Sequence, residues 1–120
     1  MATSKDILKE RLGRYRQIKI SVTGRKSGRR ISIPVWFVME GEKLYLLPVQ
    51  GSDTQWYKNV RENPAIGIDA RGVEAEFRAV PVTGAKAVKS VIEKFREKYG
   101  AGDVKKYYAG FDVAVLVRLE

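Results

Sequence analysis

The chemistry of this chain is concentrated in Thr23-Gly24-Arg25-Lys26-Ser27-Gly28-Arg29-Arg30. Gly24 and Gly28 bracket Arg25, Lys26 and Ser27. Glycine tolerates positive φ and lets backbone N–H groups approach a ligand closely. Arg25 and Lys26 bring charge, and Ser27 brings a hydroxyl. At this spacing they describe either a cradle for a phosphate or carboxylate, or a basic hairpin turn solvated by water. A second source of chemistry is Tyr107 and Tyr108, whose phenols could polarise or protonate a bound group; a packed or half-exposed role accounts for them equally. Glu74 and Glu76 alternate along a strand and share one exposed face. That favours solvation over an acid–base pair, and Asp53 with Asp69 forms no better one.

What is missing narrows the choice further. The chain has no cysteine and no histidine. This removes disulfides, thiolate chemistry, Ser-His-Asp and Cys-His systems, and most zinc, copper and haem ligation. GxGxxG, P-loop, HExxH and GxSxG motifs are absent. If the protein is an enzyme, its difficult chemistry belongs to a bound cofactor. The net charge is +9, and residues 1–30 hold ten basic side chains against two acids, +8 of the total. Such a field attracts nucleic acid, acidic lipid or a polyanionic small molecule. Nucleic acid ranks last, because the aromatic ladder of RNA-binding sheets is missing. No apolar run reaches membrane-span length and no signal peptide is visible, so a cytoplasmic protein with one domain over residues 1–120 is expected.

The surrounding elements must position these groups. Thr3 or Ser4 caps a short helix to about Leu12, with Ile7, Leu8 and Leu12 as its apolar stripe and a basic outer face that could touch an anionic membrane. Gln17 to Thr23 alternates as a half-buried strand. Ile31 to Met39 forms the next, with Ile31, Ile33, Val35, Phe37 and Met39 on one face. Pro34 predicts a sheet edge or a bulge there. Lys43 to Val49 completes a hairpin. Asp53 or Thr54 caps a helix carrying Trp56, Tyr57 and Val60, which ends at Asn63-Pro64. A hairpin turning at Arg71-Gly72 follows. Val88, Val91, Ile92, Phe95 and Tyr99 then mark one helix face, and Gly100 ends that helix. One further helical turn through Lys105 to Tyr108 leads to a central strand, Phe111 to Leu119. The expected fold is α+β, a small antiparallel barrel of about six strands with helices outside.

Thr23-Gly24-Arg25-Lys26-Ser27-Gly28, Pro34-Val35-Trp36-Phe37, Gly51-Ser52-Asp53-Thr54-Gln55-Trp56-Tyr57-Lys58-Asn59 and Asn63-Pro64 occur in the order of one known family. The chain resembles the deazaflavin-dependent nitroreductases, within the flavin and deazaflavin oxidoreductases, best over Ile18 to Ala70. The resemblance implies a split β-barrel, often dimeric, that binds coenzyme F420 and passes a hydride to a small electron-poor acceptor such as a quinone, an enone or a nitro compound. It assigns the coenzyme's phosphate to Gly24, Arg25, Lys26, Ser27 and Gly28, with Arg30 close by. It assigns the ring pocket to Pro34, Trp36, Val49 and Trp56. Gln50, Gly51 and Asn59 are further coenzyme contacts, with Tyr107 and Tyr108 as catalytic candidates and no metal. The alternatives are the same barrel holding FMN, or a carrier that binds F420 without turnover.

Overall fold

The computed structural model describes residues 4–119. Its chain order is α1 (Ser4–Leu12), β1 (Gln17–Thr23), β2 (Arg30–Trp36), β3 (Val38–Glu40), β4 (Lys43–Leu46), α2 (Gln55–Glu62), β5 (Ala65–Ala70), β6 (Val73–Val82), α3 (Ala85–Tyr99), α4 (Ala101–Tyr107) and β7 (Ala114–Arg118). The strands form one seven-stranded sheet in the order β2-β1-β5-β6-β7-β4-β3. Every adjacent pair is antiparallel. β6 curls the sheet: Val73 to Arg78 pair with β5, then Ala79 to Val82 pair with β7. The expected cap Thr3 lies outside the described residues, as does the side chain of Ser4.

Seven strands replace the expected six because the run from Ile31 to Met39 breaks at Phe37. The break lets one continuous sequence serve both ends of the curled sheet. It also removes the Phe37 main chain from the ladder, and a buried backbone needs another partner. Tyr99 supplies it. The Phe37 N–H donates to Tyr99 Oη at 3.1 Å, and that hydroxyl lies 2.6 Å from the Arg16 carbonyl and 2.9 Å from the Phe37 carbonyl. Burial pushes the Tyr99 hydroxyl up to about 12, against the lowering effects of the Phe37 hydrogen bond and of Arg16. Pro34 does sit on an edge strand, but the β1–β2 register runs without a bulge.

Lys98 joins the same corner. Its ammonium donates to the Phe37 carbonyl at 2.7 Å and stands 3.7 Å over the Phe37 ring. Burial, with Arg16 adding repulsion, lowers its pKa from 10.5 to about 8. The unfolded chain therefore keeps this proton to higher pH than the fold does. Stability from this group rises as pH climbs from about 8 towards 10.5. Lys98→Met is expected to remove that part of the rise, read as urea midpoints of parent and variant at neutral pH and near the upper end of that range.

The main core lies inside the curl, with Phe37, Leu44, Leu46, Ile66, Ile68 and Val117 fully buried. Leu8 and Leu12 of α1 enter it, while Ile7 stays 38% exposed. The basic residues of α1 turn back to the protein: Lys9 pairs with Glu42, Arg11 donates to the Arg71 carbonyl, and Lys5 stands 5.3 Å from the Phe77 ring centroid. α1 thus packs as a cover on the core, the amphipathic role its stripe predicts. α3 packs its predicted face, Val88, Val91, Ile92, Phe95 and Tyr99, into a second cluster with Val38, Leu47 and Ala114. α4 runs over seven residues, longer than the single turn expected. β7 lies between β6 and β4, the predicted central position.

Candidate functional site

The glycine-bracketed turn closes on itself between β1 and β2. The Gly24 N–H donates to the Arg29 carbonyl and the Gly28 N–H to the Gly24 carbonyl, both at 2.8 Å. Gly28 takes φ +72°, a conformation that suits glycine. Arg25 folds inward onto α2. Its main-chain N–H reaches Asn59 Oδ1 at 3.1 Å, Nη1 reaches the same oxygen at 2.8 Å, and Nη2 reaches Gln55 Oε1 at 2.9 Å. Asn59 is buried, so its amide is a fixed post for the turn. A groove of about 210 Å³ remains, bounded by Gly24, Arg25, Lys26, Ser27, Ile31 and the α2 pair Gln55 and Asn59. Lys26, Ser27 and Gly28 are exposed. Arg30 does not join them. It crosses to the other face of the sheet, where Nη2 meets both Glu76 carboxylate oxygens at 2.8 Å.

One step along β2 lies a larger cleft of about 380 Å³. Pro34, Trp36, Val49, Trp56, Tyr107 and Tyr108, which are scattered across the sequence, all line it. Trp36 is held in place by aromatic neighbours. Tyr99 stacks on it with centroids 4.2 Å apart and planes at 7°, and Tyr107 meets it edge-on at 5.5 Å. Tyr108 is buried against Trp36 and Phe95, whereas Tyr107 is 52% exposed. Burial raises the Tyr108 hydroxyl far above its ordinary value, the neighbouring Tyr99 adding to the rise. Tyr108 therefore stays neutral and able to donate. Ile33 lines this cleft and Ile31 lines the smaller groove, so the same face of β2 connects the two.

Gln50 and Gly51 do not line the cleft. They are tied to the segment before β7. The Val49 carbonyl accepts from the Ala109 N–H at 2.7 Å and the Gly110 N–H at 3.2 Å, and Gln50 bridges Gly110. Asp112 accepts from Ser52 Oγ at 2.6 Å and from the Ser52 N–H at 2.9 Å, which lowers its pKa. Gly51 sits under this clasp at φ +58°. Thr54 Oγ1 accepts from the Gln50 N–H, so the hydroxyl holds the loop instead of capping α2. The strap from Ala109 to Asp112 fixes both the Val49 wall and the Tyr107–Tyr108 wall. Sequence reading missed it, because its contacts join residues about sixty positions apart. It also missed Gln17, Leu47 and Thr54 as lining residues and Tyr99 as the backing of Trp36. Among the described residues no group of carboxylates could hold a metal ion, and no helix is long and apolar enough to cross a membrane.

The curled antiparallel sheet with helices outside and a cleft along β2 is a split barrel, the α+β fold of flavin and deazaflavin oxidoreductase-like proteins. Solved chains bear this out. An F420-H2 dependent reductase (FDR-A) superposes with a TM-score of 0.66 at 20% identity, covering 86% of this chain and 94% of its own. A putative pyridoxamine 5'-phosphate oxidase from Listeria innocua gives 0.69 at 13% identity, covering 96% and 92%. The heme storage protein HutZ from Vibrio cholerae gives 0.71 at 16%, covering 99% and 92%. The chain belongs to the family described as an uncharacterized protein conserved in bacteria (DUF2255), whose model matches residues 9–114. No curated protein matches the chain.

Proposed function

We propose that this protein binds a phosphate-bearing tricyclic coenzyme of the deazaflavin class, F420, and delivers its hydride to a small electron-poor acceptor. The observation that carries this reading is the closeness, along the edge strand β2, of an aromatic cleft and a basic, hydroxyl-bearing groove. A ring with a phosphate on a short tether needs both at once. The residues present fit such a group. The cleft is about 380 Å³ and mostly apolar, within the usual range for a small-molecule site. Lys26 is exposed, Ser27 Oγ accepts from the Arg29 N–H at 3.2 Å and keeps its own proton to donate to a phosphate, and Arg25 adds its charge from a fixed position.

The bound coenzyme supplies the hydride. The chain's own contribution is orientation and exclusion of water. Pro34 and Trp36 form one wall and Trp56 with Val49 another. The Tyr99 stack keeps Trp36 from swinging into the space. Tyr108, buried at the edge and kept neutral by burial, would donate a hydrogen bond from its hydroxyl, and Tyr107 would guard the open side. Gln50, Gly51 and Asn59 serve this site as framework. Val49, Tyr107 and Phe111 remain exposed, which suits the homodimer that the family resemblance implies.

The FMN reading has its own support, since FMN also joins a tricyclic ring to a phosphate and would use the same two spaces. Titration with F420 and with FMN, followed by quenching of Trp36 and Trp56 fluorescence, separates them. Micromolar F420 binding that is weakened at least tenfold by Lys26→Ala/Ser27→Ala is the expected result. Preferential FMN binding would replace the coenzyme, and absence of both would sink the reading. Tight F420 binding with no reduction of any quinone, enone or nitro acceptor would make the protein a carrier.

A further inference from the structure

The aromatic cleft has a neighbour on the face of β2 that carries Pro34 and Trp36. A second groove, of about 400 Å³, is lined by Gln17, Lys19, Pro34, Asp69 and the Arg71–Gly72 turn. Gln17 and Pro34 line both spaces, so the two adjoin along the edge strand. The sheet register explains the composition of the groove. Lys19 stands between Pro34 on β2 and Asp69 on β5, and the three share one face. The turn beyond Asp69 brings in Arg71.

The groove carries a surplus of positive charge that the fold leaves available. Among the described residues Lys19 forms no salt bridge. Asp69 is occupied, its Oδ1 accepting from the Gly72 N–H at 2.8 Å. Arg71 is held at φ +56° by the turn, with its guanidinium 4.8 Å from the Tyr15 ring centroid and its carbonyl accepting from Arg11. Tyr15 fixes the guanidinium in place without neutralising it. One held cation, Arg71, and one unpaired cation, Lys19, thus stand beside one engaged carboxylate, next to a cleft that is apolar and aromatic.

We propose that this groove binds the anionic end of the acceptor, so that the substrate class is a small electron-poor molecule bearing a carboxylate. Lys19 and Arg71 hold the carboxylate, the molecule lies across Gln17 and Pro34 where the two spaces adjoin, and the electron-poor end lies in the aromatic cleft. The assignment of this molecule as an acceptor rests on the deazaflavin reading above, but the binding site itself does not.

The test uses 4-nitrobenzoate as the probe and neutral 4-nitrobenzamide as its counterpart, with binding followed by amide NMR shifts of the whole chain. The groove predicts that 4-nitrobenzoate moves the amides of Lys19, Arg71 and Gly72 and binds at least tenfold more tightly than the benzamide. Lys19→Gln and Arg71→Asn should each abolish that preference, asparagine being chosen because it tolerates positive φ. Neither variant should alter F420 or FMN binding, since neither residue lines the cleft or the phosphate groove. Equal binding of the two probes, unchanged affinity in both variants, shifts confined to residues 24–28, or no binding by the parent would each overturn the proposal. If the parent binds 4-nitrobenzoate in the groove but neither coenzyme, the groove stands and the deazaflavin reading falls; the opposite pattern removes the groove alone.

Discussion

Gly110→Ala is expected to destabilise the protein by about 3 kcal/mol and to open the cleft. A methyl group there would lie 2.5 Å from the Gln50 carbonyl carbon and from the Gly51 nitrogen, both main-chain atoms. Neither can rotate away as a side-chain tip could, so the strap itself must lift. Lifting it breaks both hydrogen bonds to the Val49 carbonyl and strains the Asp112–Ser52 clasp. Val49 and the tyrosine pair lose their common anchor, so coenzyme binding should fall together with stability. Gly102→Ala is the control. It lies within α4, its added methyl would meet nothing within 4 Å, and it should stabilise by about 0.5–1 kcal/mol. Urea denaturation of the two variants beside the parent checks the contrast. Similar midpoints for both would show that the strap yields easily.

Asn59→Leu is the second large effect. Leucine is close in size, so packing is nearly conserved while one acceptor disappears. That acceptor serves the Arg25 main-chain N–H and the Arg25 guanidinium together. Leaving the main-chain N–H unpaired and the guanidinium with Gln55 alone should cost about 2 kcal/mol, because an unmade bond to a charged group exceeds an ordinary one. The turn from Gly24 to Gly28 should then lose its fixed attitude to α2. Binding of inorganic phosphate or of a phosphate-bearing coenzyme should weaken at least tenfold, measurable by calorimetry. Asn59→Asp keeps an acceptor for Arg25 and should retain most of the stability. A leucine variant as stable as the parent, with unchanged phosphate binding, would show that the Asn59 post is dispensable.

These two variants probe features of different visibility. The strap rests on contacts between residues sixty positions apart, such as Ser52 with Asp112. No local pattern announces them, and Gly110 looks like any loop glycine until Gln50 is seen beneath it. Asn59 was picked out only through the family motif; composition would have left it a polar residue on a helix. Its burial, and the inward turn of Arg25, come from packing α2 against the β1–β2 turn. Arg30 shows the same limit from the other side. Strand alternation separates Arg30 from Ile31, and the structure sends Arg30 to Glu76 and Ile31 to the groove.

Local physics was sufficient for much of the chain. The alternation of Gln17 to Thr23, the helical spacing from Val88 to Tyr99, the turn at Arg71-Gly72 and the edge placement of Pro34 all follow from nearest-neighbour geometry. So does the exclusion of histidine and cysteine chemistry, which is a matter of composition. Three things needed the tertiary structure. The run through Phe37 reads as one strand, and only Tyr99, from sixty-two residues away, makes a break there affordable by capping its main chain. The aromatic cleft gathers residues from Pro34 to Tyr108, and only the curl imposed by β6 brings them together. The division of cations into bound ones, such as Arg25 and Arg30, and available ones, such as Lys26 and Lys19, depends on which acceptors the fold sets beside each. A sequence states a residue's chemistry and its local period; distance between remote residues belongs to the folded chain, and a site is made of such distances.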